Sequence, residues 1–134
     1  MPSKRLLAVD DNAAMLKIIQ QVASDLGFEV EALTSGMGFM KAYARLKPDV
    51  ITLDVIMPDM DGIELLRWLD DVECTAAIII VSGGNSIYME ASQKLAEARG
   101  HLRATILRKP FRLDELRASL GAAAAFTEEP TPPV

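Results

Sequence analysis

The stretch Val50-Ile51-Thr52-Leu53-Asp54, followed at once by Val55-Ile56-Met57-Pro58-Asp59-Met60-Asp61-Gly62, decides the reading of this chain. Val50 to Leu53 is short, β-branched and apolar without alternation. That is the pattern of a strand covered on both faces rather than one. It runs into a carboxylate, and then into turn-forming Pro, Asp and Gly. Three more runs share the pattern: Leu6–Val9, Ala77–Val81 and Ala104–Leu107. A fifth, Phe28–Leu33, alternates with Glu29 and Glu31 and reads as an edge strand.

Helical periodicity fills the intervals. Met15, Ile19, Val22 and Leu26 recur at three- and four-residue steps, and Gly27 follows as a stop. Phe39, Tyr43 and Leu46 continue the logic before Pro48, with Gly36 and Gly38 weakening the start of that helix. Ile63, Leu66 and Leu69 form a third stripe, Ile87 to Arg99 a long Ala-rich fourth, and Leu113, Leu116 and Leu120 a fifth. Strand and helix thus alternate five times. The expected architecture is α/β: a doubly wound, five-stranded parallel sheet with helices on both faces and right-handed crossovers.

The 134 residues fit one domain, with half of them hydrophobic and a quarter charged. Residues 1–121 are assigned to it. Residues 122–134 are expected to extend the last helix through the alanines and end as a Pro-rich flexible tail, since Pro130, Pro132 and Pro133 cannot continue a helix. Fourteen Lys and Arg against nineteen Asp and Glu give a net charge of -5, which opposes direct nucleic-acid binding. The single Cys and single His form neither a disulfide nor a zinc set. No apolar run is long enough to span a bilayer, and the N-terminal residues lack a signal-peptide pattern. The expected setting is cytoplasmic, without membrane attachment.

Ligands of open α/β sheets bind at the carboxyl ends of the strands. The polar residues there are Asp10 and Asp11, Asp54, Ser82 with Gly83 and Gly84, and Arg108 with Lys109 and Pro110. Three carboxylates gathered on one rim repel each other unless a cation relieves them. Mg2+ suits such an oxygen set. Lys109 adds a fixed positive charge and Ser82 a hydroxyl, the surroundings a phosphoryl group needs. Asp54 is then a candidate nucleophile, because carboxylates form aspartyl-phosphate intermediates. Taken singly, Asp10 and Asp11 read more simply as a cap for the next helix, and Ser82 to Asn85 as a turn. Trp68 and Cys74 read as packing residues, and His101 as a surface residue.

Together these residues resemble the bacterial response-regulator receiver domain, a CheY-like fold, over roughly residues 4–121. The resemblance rests on Asp10-Asp11, on Asp54 with the following Val-Ile-Met-Pro-Asp-Met-Asp-Gly, on Ser82-Gly83, and on Lys109-Pro110-Phe111. It implies that Asp54 accepts a phosphoryl group from a sensor histidine kinase or a histidine phosphotransfer protein. It further implies that Asp10, Asp11, Asp54 and the main-chain carbonyl of Ile56 hold Mg2+, that Ser82 and Lys109 contact the phosphoryl group, and that the Lys109-Pro110 peptide is cis. The expected output is a changed affinity for a downstream protein partner. The resemblance also allows a homodimer through the fourth helix, fifth strand and fifth helix. Such a protein catalyses only its own phosphorylation and dephosphorylation.

Two departures stand out. Ile106 occupies the place where receivers carry a Tyr or Phe switch, and the Ser82-to-Lys109 interval is longer than usual. They keep a pseudo-receiver, an interaction module without productive switching, as one alternative. The other is a Mg2+-dependent aspartyl phosphatase, which wants a carboxylate two residues after its nucleophile, where this chain has Ile56.

Overall fold

A computed structural model describes residues 4–54, 56–57, 60–83 and 102–127, with only the backbone for residues 56–57, 60–63, 82 and 126–127. The elements run β1 (Arg5–Val9), α1 (Ala13–Asp25), β2 (Glu29–Leu33), α2 (Phe39–Leu46) and β3 (Val50–Asp54). There follow two-residue strands β4 (Ile56–Met57) and β5 (Met60–Asp61), α3 (Gly62–Asp71), β6 (Ala77–Ser82), β7 (Arg103–Arg108) and a C-terminal helix (Leu113–Thr127). The fourth helical stretch expected at Ile87 to Arg99, His101, Asp59 and the Pro-rich tail lie outside the described residues.

Five strands form one sheet in the order β2-β1-β3-β6-β7, every pair parallel. This is the doubly wound sheet expected from the apolar runs. Each of the four apolar strands is a residue or two longer than its run, because backbone pairing continues into polar residues. Asp54 pairs with Val81, and Ser82 with Arg108. The strands β4 and β5 pair antiparallel through Ile56–Asp61 and Met57–Met60, a miniature hairpin where the sequence shows only a loop.

The two faces account for the unbroken apolar runs. In β1 and β3, Leu7, Val9, Ile51 and Leu53 join Phe39, Leu65, Leu66 and Leu69 on the face covered by α2 and α3. Their strand neighbours Leu6, Ala8 and Val50 join Leu16, Ile19, Val22, Leu116 and Leu120 beneath α1 and the C-terminal helix. Successive residues of a strand point to opposite faces, so a strand buried on both is apolar at nearly every position, with Thr52 the buried polar exception inside β3. Each such fully buried Leu or Ile contributes roughly 1.5–3 kcal/mol.

Local signals set the helix ends. Asn12, extended in backbone, caps α1 by accepting the Met15 N–H at 3.1 Å. Gly38 precedes α2 with φ +82°, a conformation that glycine adopts at no steric cost, so the residue that weakened the helix signal is what starts it. The C-terminal helix continues through Ala122–Ala125, four of the best helix formers in a row.

Candidate functional site

All five strands of the sheet run the same way, so the ends of β1, β3, β6 and β7 meet along one rim. That rim gathers Asp10 and Asp11 from just past β1, Asp54 from the last position of β3, Ser82 from the last position of β6 and Lys109 from just past β7. One carboxylate oxygen from each of Asp10, Asp11 and Asp54 lies within 4.8 Å of the others. Asp10 and Asp54 are buried and Asp11 is exposed.

Asp10 is fixed from two sides. Its Oδ1 accepts the Asn12 N–H at 2.9 Å, and its Oδ2 accepts from Lys109 Nζ at 2.7 Å. The same ammonium reaches Asp54 Oδ2 at 3.5 Å. A single Lys thereby spans the two buried carboxylates. Burial alone would lower the Lys109 pKa, but the Asp10 hydrogen bond and the Asp54 and Asp10 charges outweigh it and raise the pKa above its ordinary value. The ammonium stays charged where the site needs it.

Gly83 makes room for that ammonium's stem. A Cβ at position 83 would stand 3.0 Å from Lys109 Cβ, inside normal contact distance. The Lys109-Pro110 peptide is cis. Ile56 contributes its backbone from β4 immediately beyond Asp54. The rim therefore unites Asp10, Asp11, Asp54 and Lys109 through their side chains, while Ser82 and Ile56 are placed by their backbone.

Asn12 escaped the sequence reading, and so did the contact that Gly83, already placed on the rim, makes with Lys109. Asn12 takes the capping role that the sequence also allowed the Asp pair, which leaves both Asp10 and Asp11 to the rim. An Asn directly ahead of a helical stripe is the recognisable signal. The close approach of Gly83 to Lys109 has no sequence signature, because it joins residues from two strands.

The sequence matches the family described as the response regulator receiver domain over residues 6–121. The chain belongs to the response-regulator receiver family. This receiver is 34% identical over 123 residues to the chemotaxis protein CheY of Listeria monocytogenes, covering 90% of this chain and 98% of the other. It is 33% identical to the response regulator MprA of Mycobacterium leprae, covering 92% of this chain and 52% of MprA. In fold it is similar to a CheY-like receiver domain protein from Methanospirillum hungatei, with TM-score 0.82, 23% identity, and 96% and 98% of the two chains covered.

Receiver domains bind Mg2+ through acidic residues, and the rim carries such a cluster. Its chemistry fits the ion: three carboxylate oxygen donors are hard ligands, and too few to complete an octahedron without water. No described helix is long and apolar enough to cross a membrane.

Proposed function

We propose that this receiver is a phosphoacceptor of a two-component signalling system, taking a phosphoryl group from phosphohistidine onto Asp54. The bridge from Lys109 Nζ to Asp10 and Asp54, beside a third carboxylate, carries this reading. In the transfer an Asp54 oxygen attacks phosphorus, a P–O bond forms, and the P–N bond breaks. The bonding pair leaves with the imidazole nitrogen, which takes up a proton. Asp54 is buried on its strand and open only at the rim, so the donor must approach in line from outside. Lys109 offsets the charge on the phosphoryl oxygens, and Ser82 stands on the adjacent strand end.

Asp10, Asp11, Asp54 and the Ile56 carbonyl would hold Mg2+. Bound there, the ion supplies charge neutralisation at the phosphoryl oxygens. The donor is a sensor histidine kinase or a histidine phosphotransfer protein in the cytoplasm. The phosphorylated form then changes its affinity for a separate protein target. Its chemistry acts on itself alone and turns over no other substrate.

Intact mass after incubation with acetyl phosphate and Mg2+ tests the proposal, with Asp54→Ala alongside. One phosphoryl adduct is expected that needs Mg2+ and vanishes in the variant. No adduct on the folded wild type from acetyl phosphate or from a histidine kinase would leave an interaction module instead.

A further inference from the structure

We propose that Arg108 is a second phosphoryl-binding cation of the site, acting from the edge strand beside Lys109. This rests on the phosphoacceptor reading above. Three observations carry it. First, Arg108 is the cross-strand partner of Ser82 and the last residue of β7, so it stands on the same rim as the acidic cluster. Second, its side chain is exposed and makes no ion pair or side-chain hydrogen bond with a described residue. Arg5, Arg45 and Arg112 by contrast each engage a carboxylate, Glu29, Glu31 and Asp114 respectively.

The third observation is charge balance. Asp10 and Asp11 bring two negative charges, and a phosphorylated Asp54 brings about two more. A divalent cation and Lys109 supply three positive charges against them. About one negative charge is left over on the phosphoryl oxygens, and Arg108 is a free guanidinium on that rim.

The span is within reach. β6 separates β3 from β7, so positions 54 and 108 lie two strand spacings apart, roughly 9–10 Å. A phosphoryl group extending from Asp54 closes that gap from one side. The long Arg side chain closes it from the other. Guanidinium suits the task because it presents several donors in one plane to phosphate oxygens. Before phosphorylation the two buried carboxylates already have Lys109, and Arg108 stays in solvent.

The test compares wild type with Arg108→Gln and Arg108→Lys. Three quantities are measured: Mg2+ affinity alone, affinity for beryllofluoride in saturating Mg2+, and the rate of adduct formation from acetyl phosphate. Beryllofluoride occupies the phosphoryl position without covalent transfer. Arg108→Gln is expected to weaken beryllofluoride binding and to slow the adduct by about tenfold, the size of one hydrogen bond to a charged group. Mg2+ affinity should change less than about twofold, since Arg108 stays in solvent about one Debye length from Asp54 until the phosphoryl position is filled. Arg108→Lys should recover part of the loss. Arg108→Gln matching wild type in beryllofluoride affinity and adduct rate would overturn the assignment while leaving the phosphoacceptor reading intact. A wild type that binds Mg2+ but accepts neither beryllofluoride nor phosphoryl would overturn both.

Discussion

Replacing Lys109 by Met should destabilise the metal-free protein by about 3 kcal/mol at neutral pH, at the lower end of the cost of unpairing a buried charge. The ammonium stands 2.7 Å from Asp10 and 3.5 Å from Asp54, which at an effective dielectric of about 20 corresponds to attractions of roughly 6 and 5 kcal/mol. Most of that offsets desolvation, because the Asp10 and Asp54 side chains are only 1% and 6% exposed. Removing the cation takes away the opposing charge that offsets those desolvation costs, with two buried carboxylates facing each other. Lys109 is itself 19% exposed, so water entering the gap recovers part of the loss. Met fills the same stem, so packing changes little.

Urea titration in EDTA is the assay, read as the unfolding free energy at constant m-value. Three companion results belong to the same reasoning. Adding Asp10→Asn should restore part of the stability, since Asn still accepts the Asn12 N–H while one of the two buried charges, and their mutual repulsion, disappears. Mg2+ should raise the urea midpoint of Lys109→Met as well as that of the wild type. Alkaline pH should cost the wild type more than Lys109→Met, since the half-buried Tyr43 and the buried Cys74, whose pKa values are raised, weaken both proteins alike. The Lys109 pKa is raised by its partners, so the stability it contributes is fully present below its ordinary value of 10.5 and lost as pH climbs through the higher folded value. A Lys109→Met protein within about 0.5 kcal/mol of wild type in EDTA, the scatter of ordinary surface substitutions, would refute the reasoning.

Thr52→Val should stabilise the protein by about 1 kcal/mol in the same titration, because Thr52 Oγ1 is buried without a hydrogen-bond partner among the described residues and Val keeps the shape; a loss of stability would show that the hydroxyl is used. Cys74 is buried, and desolvation foremost pushes its pKa up despite the Tyr43 hydroxyl. A thiol reagent at pH 8 should therefore label it only as the chain opens, at a rate that rises with urea; stoichiometric labelling on mixing with the native protein would contradict this.

Sequence gave access to what depends on one strand at a time. Leu6–Val9 and Val50–Leu53 announce two-sided burial by themselves, and the residues that end them, Asp10 and Asp54, announce the rim. Contacts between strands were beyond reach. That Asp10 offers one oxygen to Asn12 and the other to Lys109 depends on the bend after β1 and on the end of β7, which lies three places along in the sheet. The Gly83 contact is of the same kind. Among the described aromatics, Phe39, Tyr43 and Trp68 read singly as core residues. Their packing edge-on around Trp68, at centroid distances of 6.1 and 5.3 Å, joins α2 to α3 and appears only when both helices lie on one face. The β4–β5 hairpin was hidden for another reason: two-residue strands carry no periodicity to detect.

Ile106 bears on how phosphorylation would be read out. It is half-buried against the cluster under α2 and α3, and its cross-strand partner is the fully buried Ile80. An aromatic switch can exchange an inner position for an outer one at small cost, because a ring with a hydroxyl is served by both settings. Moving Ile106 outward would forfeit part of a burial worth about 2 kcal/mol and regain no hydrogen bond. The side chain is thus a fixed part of the β6–β7 face rather than a moving one. The groups on that edge free to respond to a new anion are the charged ones at the rim. Lys109 is held by two carboxylates whose balance the proposed phosphorylation would alter, and Arg108 has no partner among the described residues. Under the proposed phosphorylation of Asp54, the cations placed to rearrange are Arg108 and Lys109 at the end of β7, and a target that distinguishes the two forms would do so by charge at that edge.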